Sequence, residues 1–205
     1  MNVAVLASGS GTNLQALLDT VHGRDGIAVV AVVSDKPDAR ALHRAAAAGV
    51  PTAVFERSDY RDRATRDEAI AEWLGSRGTE LVVLAGYMQL LSREFLSRFP
   101  GTVINVHPAL LPAFPGLGAV QKAIDYGVKV FGVTVHFVDE GVDTGPVILQ
   151  RAIELPYARD ADEVLARLHP IEHELLPEAV RLIARGAVGR DADNPRRVLI
   201  TDATG

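Results

Sequence analysis

The 205-residue chain has no cysteine. That removes thiol nucleophiles, thiolate zinc sites and disulfide frameworks, and makes a cytoplasmic compartment the simplest expectation. An excess of positive charge is missing too: 21 Lys and Arg against 26 Asp and Glu leave a net charge of -5. No basic field awaits nucleic acid, so a backbone-reading DNA or RNA protein is not expected. No run approaches the roughly 18 apolar residues of a membrane span, so no membrane partner is expected. The start, Met1-Asn2-Val3-Ala4-Val5-Leu6-Ala7, lacks a basic region and reaches glycine too soon for a signal peptide. There is no internal repeat and no low-complexity segment. What remains, 48% hydrophobic and 23% charged residues, is the make-up of a soluble globular chain. At this length it buries roughly 70% of its unfolded surface without a metal or disulfide staple.

Short β-branched runs alternate with longer amphipathic stretches. Val3 to Ala7, Ile27 to Val33, Thr52 to Phe55, Leu81 to Ala85 and Val103 to Val106 read as strands, nearly all apolar and therefore covered on both faces. Asn13 to Val21, Ala39 to Ala48, Asp62 to Leu74 and Ser92 to Phe99 read as helices, with Gly49 and Pro51 closing the second. This βαβα order predicts a doubly wound, mostly parallel α/β sheet of Rossmann-like kind. After residue 100 the pattern changes. Pro108, Pro112 and Pro115 punctuate a long loop with apolar Leu110, Leu111, Phe114 and Leu117, followed by a helix at Val120 to Tyr126. Strands at Val130 to Val138 and Val147 to Ala152 are separated by only the residues Asp139 to Pro146, which predicts a late antiparallel strand. Asp160 and Glu163 form a capping pair for a helix that Pro170 interrupts before Glu172 to Arg185. The expectation is one domain over 1–205: a phosphate-binding half over 1–100, a catalytic half over 101–185, and a polar, aperiodic tail over 186–205.

Three stretches carry chemistry. Ser8-Gly9-Ser10-Gly11-Thr12-Asn13 lies where a strand hands over to a helix, so the helix's first N–H groups face an anion, and a phosphate is the predicted occupant. A dinucleotide fingerprint would want a third glycine at Leu14; Asp35, at the end of the second strand, keeps a ribose-binding reading open. Asn105 and His107, two apart at the end of the fifth strand, point the same way while Ile104 and Val106 enter the core. That strand edge is where open α/β sheets hold ligands. Third, Gly141 and Gly145 flank Asp143, letting the loop present one carboxylate inward; beside His107 it would favour the imidazolium and supply an acid near neutral pH.

Other residues receive plainer assignments. His169 and His173 are separated by Pro170 and lack the order of a zinc hydrolase, so no metal is expected. The arginines and acids from Glu56 to Glu68 read as a solvated helix face with Trp73 and Leu74 on its core side, and His22 and His43 read as surface residues.

Four stretches together resemble the folate-dependent formyltransferases: Gly9-Ser10-Gly11-Thr12-Asn13-Leu14-Gln15-Ala16, Leu84-Ala85-Gly86-Tyr87-Met88, Asn105-Val106-His107-Pro108-Ala109-Leu110-Leu111-Pro112, and Thr134-Val135-His136-Phe137-Val138 through Asp143-Thr144-Gly145-Pro146. The resemblance covers roughly residues 1–185. Within the family it is nearest the glycinamide ribonucleotide transformylases. Relatives acting on formylmethionyl-tRNA carry an added C-terminal domain and formyltetrahydrofolate deformylases an added N-terminal one; neither is expected here.

The resemblance implies 10-formyltetrahydrofolate as formyl donor and glycinamide ribonucleotide as acceptor, with no metal. It implies Gly11, Thr12 and Asn13 on the ribonucleotide phosphate and Glu172 on its sugar or amine end. The folate is implied to meet Met88, Gln89, Leu90 and Leu91 on one wall and Asp139, Glu140, Gly141, Val142 and Asp143 on the other, with Asn105 beside it and Arg63 facing its glutamate tail. Asn105, His107 and Asp143 are the implied catalytic set. The chain departs from its relatives at Gly118 and Val120, where polar residues are usual, which bears on that loop and not on the catalytic set. Partners are small molecules only, and the expected assembly is a monomer or homodimer. Two rival readings are a formyl transfer to another amine, such as an amino sugar nucleotide, and a non-catalytic nucleotide-binding module using Asp35.

Overall fold

A computed structural model describes residues 1–201. The chain divides into two compact units, Met1–Asn105 and Val106–Gly205. The strand order of the main sheet is β3-β2-β1-β4-β5-β6-β7, with a separate ribbon of β8 and β9.

In the first unit β1 (Asn2–Leu6), β2 (Ala28–Ser34), β3 (Thr52–Val54), β4 (Leu81–Leu84) and β5 (Val103–His107) alternate with α1 (Thr12–Thr20), α2 (Arg40–Ala47), α3 (Arg63–Gly75) and α4 (Arg93–Arg98). β1 pairs in parallel with β2 and with β4, β2 with β3, and β4 with β5. Val3, Ala4, Val5 and Leu6 are wholly buried, as are Val82 and Val83, which is why these strands show no polar alternation. Chain order reverses between β1 and β4, and the loops leaving their carboxyl ends lie at the kind of switch point where such sheets receive ligands. The Asp62 carboxylate accepts from the Thr65 N–H and starts α3; Ser92 does the same for α4 through the Phe95 N–H. Trp73 on α3 carries the Arg77 guanidinium 3.6 Å over its ring.

In the second unit α5 (Ala119–Tyr126) precedes β6 (Val130–Phe137), which pairs antiparallel with β7 (Val147–Glu154), as the short connection predicts. α6 then runs without a break over Ala161–Ala184, with Asp160 as its cap and Pro170 and Pro177 inside it. The predicted interruption at Pro170 does not occur. Val164, Leu168, Ile171, Leu175, Ala179 and Leu182 recur every three or four residues straight through the proline, and all are buried. Each of the Val, Leu and Ile side chains contributes about 1.5–3 kcal/mol, enough together to offset the ~3 kcal/mol cost of each interior proline. The described part of the tail holds structure that its composition did not show: β8 (Val188–Arg190) and β9 (Val198–Ile200) form an antiparallel ribbon, too short for any periodicity to show, and the last four residues of the tail lie outside the described ones.

No helix among the described residues is long and apolar enough to cross a membrane.

Candidate active site

The loop after β1 turns through Gly11, which caps α1 with a φ of 69°. A β-carbon there would stand 2.7 Å from the Ala41 Cα, so only glycine lets α2 approach this closely. Gly9 and Ser10 are exposed at the start of α1, and Arg44 of α2 braces the loop by donating from Nε to the Ser10 carbonyl at 2.9 Å and from Nη1 to Gln15 at 3.0 Å. Leu14, at the place of a third glycine, is wholly buried.

The segment after β4 is fastened to the same end of the sheet. The Ser8 N–H donates to the Gly86 carbonyl at 3.1 Å, and the Ser8 hydroxyl accepts from the Met88 N–H at 2.9 Å. Gln89 Nε2 donates to Asp35 Oδ2 at 2.9 Å, and its carbonyl oxygen faces Arg66 Nη1 at 3.4 Å. Asp35 is thereby buried against Gln89, which runs against its ribose-binding reading. Arg66 and Asp67 correct a second expectation. They are 2% and 0% exposed, not solvated, and Arg66 grips Asp67 Oδ1 with Nε and Nη2 at 3.0 and 2.8 Å. The other carboxylate oxygen of Asp67 accepts from the Ser92 N–H at 2.6 Å. Burial pushes the Tyr87 phenol well above its usual value, with Arg66 pulling the other way and Asp35 and Asp67 adding to the rise. Met88 and Leu90 are exposed, Leu91 is partly so, and Arg63 is exposed at the first position of α3.

In the second unit His107, at the end of β5, is 6% exposed. Its Nε2 donates to the Phe114 carbonyl at 2.9 Å, and its Nδ1 lies 3.4 Å from Asp143 Oδ2. Asp143 is reached from three directions: His107, His136 Nε2 at 3.5 Å from Oδ1, and the Gly116 N–H, which donates to Oδ2 at 2.7 Å. Burial raises the Asp143 pKa, but the His136 and Gly116 hydrogen bonds and the charges of His107 and His136 outweigh it and hold the carboxyl at about 2. Asn105 shares its face of β5 with His107 by strand geometry.

The loop that presents Asp143 uses its residues in distinct ways. The left-handed residue is Asp143 itself, at φ 52°, whereas Gly145 serves close approach: a β-carbon on it would sit 1.7 Å from the Phe137 carbonyl oxygen. Asp139 braces the loop by accepting from the Thr144 hydroxyl and the Gly141 N–H, and Arg196 of the tail donates to the Thr144 carbonyl at 2.7 Å. Glu140 and Val142 are exposed. Gly118 sits at φ 71° as the cap of α5, and Val120 is buried in that helix.

His136 received no role of its own from the sequence, nor did Thr134. Both are buried on one face of β6, polar residues among Val133, Val135 and Phe137, and that alternation was the available signal. The Thr134 hydroxyl donates to the Ala109 carbonyl at 2.6 Å and accepts from the Leu111 N–H at 3.1 Å, fixing the loop after β5. Glu172 is buried on α6. Because α6 is continuous, His169 and His173 do stack, with ring centroids 6.2 Å apart; burial, then the charge of His169, lowers the His173 pKa. His22 is half-buried and accepts from the Val29 N–H, while His43 is exposed. Among the described residues no group of three or more His, Asp or Glu is arranged to hold a metal ion.

Comparison with known proteins bears on the whole chain. The family described as formyl transferase matches residues 1–180. Phosphoribosylglycinamide formyltransferase of Bacillus subtilis is 43% identical over 179 residues, covering 87% of this chain and 92% of the relative. The protein of the same name from Mycobacterium tuberculosis H37Rv is 43% identical over 201 residues, covering 97% and 93%. The crystal structure of glycinamide ribonucleotide transformylase 1 from Symbiobacterium toebii superposes with a TM-score of 0.94 at 46% identity, covering 98% of this chain and 94% of that one. A match of this extent in sequence and in fold leaves one conclusion: the chain belongs to the formyl transferase family.

Proposed function

We propose that the protein transfers the formyl group of 10-formyltetrahydrofolate to the amine of 5'-phosphoribosylglycinamide in purine synthesis. The observation that carries the chemistry is the partly buried Asp143 carboxylate, shared by His107 and His136, with His107 at the carboxyl end of the strand that also carries Asn105. Relatives named for this activity at 43% identity over most of the chain support the choice of substrates.

The reaction needs no covalent enzyme intermediate. The glycinamide amine attacks the formyl carbon, a carbon–nitrogen bond forms, and the carbonyl oxygen takes the negative charge of a tetrahedral intermediate. The bond to the folate nitrogen then breaks, and the proton lost by the amine ends on that nitrogen. Asn105 donates to the oxyanion from its amide. His107 donates the N–H that Nε2 otherwise gives to the Phe114 carbonyl, exchanging one acceptor for another. Asp143 orients the imidazole and favours its charged form, and His136 and the Gly116 N–H keep Asp143 ionised. Holding two substrates in reacting geometry contributes much of the remaining acceleration.

For the substrates, Gly11, Thr12 and Asn13 at the start of α1 receive the ribonucleotide phosphate, and Glu172 its sugar or amine end. Met88, Leu90 and Leu91 offer the folate apolar surface, with Gln89 in the same segment. Asp139, Glu140, Gly141 and Val142 belong to the loop that delivers Asp143, and Arg63 meets the glutamate tail. The protein works as a monomer or homodimer in the cytoplasm.

The test is an absorbance assay with 10-formyltetrahydrofolate, with and without glycinamide ribonucleotide, alongside His107→Ala. Folate product that requires the ribonucleotide and disappears in the variant is expected. Product without ribonucleotide would make the protein a deformylase, and product only with an amino sugar nucleotide would reassign the acceptor.

A further inference from the structure

The segment after β4 alternates. Tyr87 and Gln89 turn inward, while Met88 and Leu90 are 52% and 56% exposed and present two large apolar side chains side by side in one segment. What holds them out is a chain of buried and partly buried polar contacts from three other elements. Ser92 at the far end of the segment is tied to Asp67 of α3; Asp67 is gripped by Arg66; Arg66 faces the Gln89 carbonyl oxygen; and the Gln89 amide donates to Asp35 at the end of β2. Ser8 after β1 fixes the near end through the Met88 N–H.

We infer that Asp35, Arg66 and Asp67 are positioning residues that act through the Gln89 side chain to hold Met88 and Leu90 toward the formyl donor, so that this buried network sets donor affinity. Gln89 then serves the donor through its own inward hydrogen bonds, not by touching it. This rests on the reading above that Met88, Leu90 and Leu91 meet the folate. The geometry favours it over a purely structural role because the network ends on a segment whose outward residues have no core to fill. Burying an Arg–Asp pair is also a weak way to gain stability, since well-packed apolar residues of equal volume do as well.

The test uses the full chain and three proteins. Gln89→Glu places a second carboxylate 2.9 Å from Asp35, and KM for the formyl donor should rise about tenfold, with KM for the ribonucleotide unchanged; tenfold corresponds to about 1.4 kcal/mol. Adding Asp35→Asn to Gln89→Glu restores an amide-to-carboxylate hydrogen bond in the opposite sense, and donor KM should return to within about twofold of the parent. A folded single variant with unchanged donor KM, or a folded double variant that stays as impaired as the single one, overturns the inference. Amide hydrogen exchange over residues 86–92 separates this from the parent reading, because it needs no substrate. Exchange that quickens in Gln89→Glu and recovers in the double variant, in a protein inert toward the formyl donor, would keep the positioning network and overturn the proposed function. Active protein with exchange unchanged in all three would do the reverse.

Discussion

Asp67 and Asp143 are both withdrawn from water and both meet nitrogen donors, yet their surroundings differ in kind. Asp67, wholly buried, is held by a permanently charged guanidinium and a backbone N–H. Asp143, with 14% of its side chain exposed, is held by two imidazoles and a backbone N–H. An arginine keeps its proton at every accessible pH, so the first cluster is fixed in charge and shapes backbone. An imidazole ring can both donate and accept a hydrogen bond, which a guanidinium cannot, and the proposed chemistry draws on that. The kind of partner, more than the burial of the carboxylate, sets the two clusters apart.

The largest expected effect comes from breaking the fixed cluster. Arg66→Met leaves Asp67 buried without its counter-charge and should cost about 3–5 kcal/mol of stability, read from denaturant unfolding; a loss below 1 kcal/mol would mean that the pair is dispensable. Asp143→Asn should act mainly on the reaction: the protein still folds, with a smaller stability loss than Arg66→Met, while turnover falls by about 10² to 10⁴, and an unaltered kcat across pH would remove Asp143 from the reaction. His136→Asn should cost less, about tenfold in turnover, below the hundredfold that a misplaced group can cause; equal losses for His136→Asn and Asp143→Asn would mean that His136 is a full partner in catalysis. The smallest effect concerns acid. Asp143 titrates at about 2 where the ordinary value is 3.8. Its folded-state pKa is depressed, so its contribution to stability is complete above about pH 4 and is lost as pH falls toward 2. The stability gap between the parent and Asp143→Asn should therefore narrow over that interval in acid-unfolding curves, and a constant gap would contradict the pKa.

Much of this was legible in the sequence because the signals were local. Apolar runs at Val3–Leu6 and Leu81–Leu84 announced buried parallel strands, and the brief link from Val138 to Val147 announced an antiparallel one. What failed was long-range. Arg66 and Asp67 look like any helical charge pair until the fold brings Gln89 to Arg66 and Ser92 to Asp67, 23 and 25 residues onward. Pro170 looked like a break because a proline is judged by its neighbours, whereas the apolar face running past it decided the outcome. Gly141 and Gly145 pointed to the Asp143 loop, but that Gly145 is needed for its close approach to the Phe137 carbonyl, and that Asp143 itself takes a positive φ, had no local signal.

Trp73, the chain's single tryptophan, has an optical consequence. With Arg77 stacked at 3.6 Å and Phe55 edge-on, its emission reports on α3, the helix that carries Arg66 and Asp67. Unlabelled protein therefore has a built-in fluorophore on the helix that carries the scaffolding cluster. Since no native thiol competes, one cysteine introduced at the open Tyr157 position, 86% exposed in the other unit, would give a second colour there and let the two units be followed separately in one cuvette.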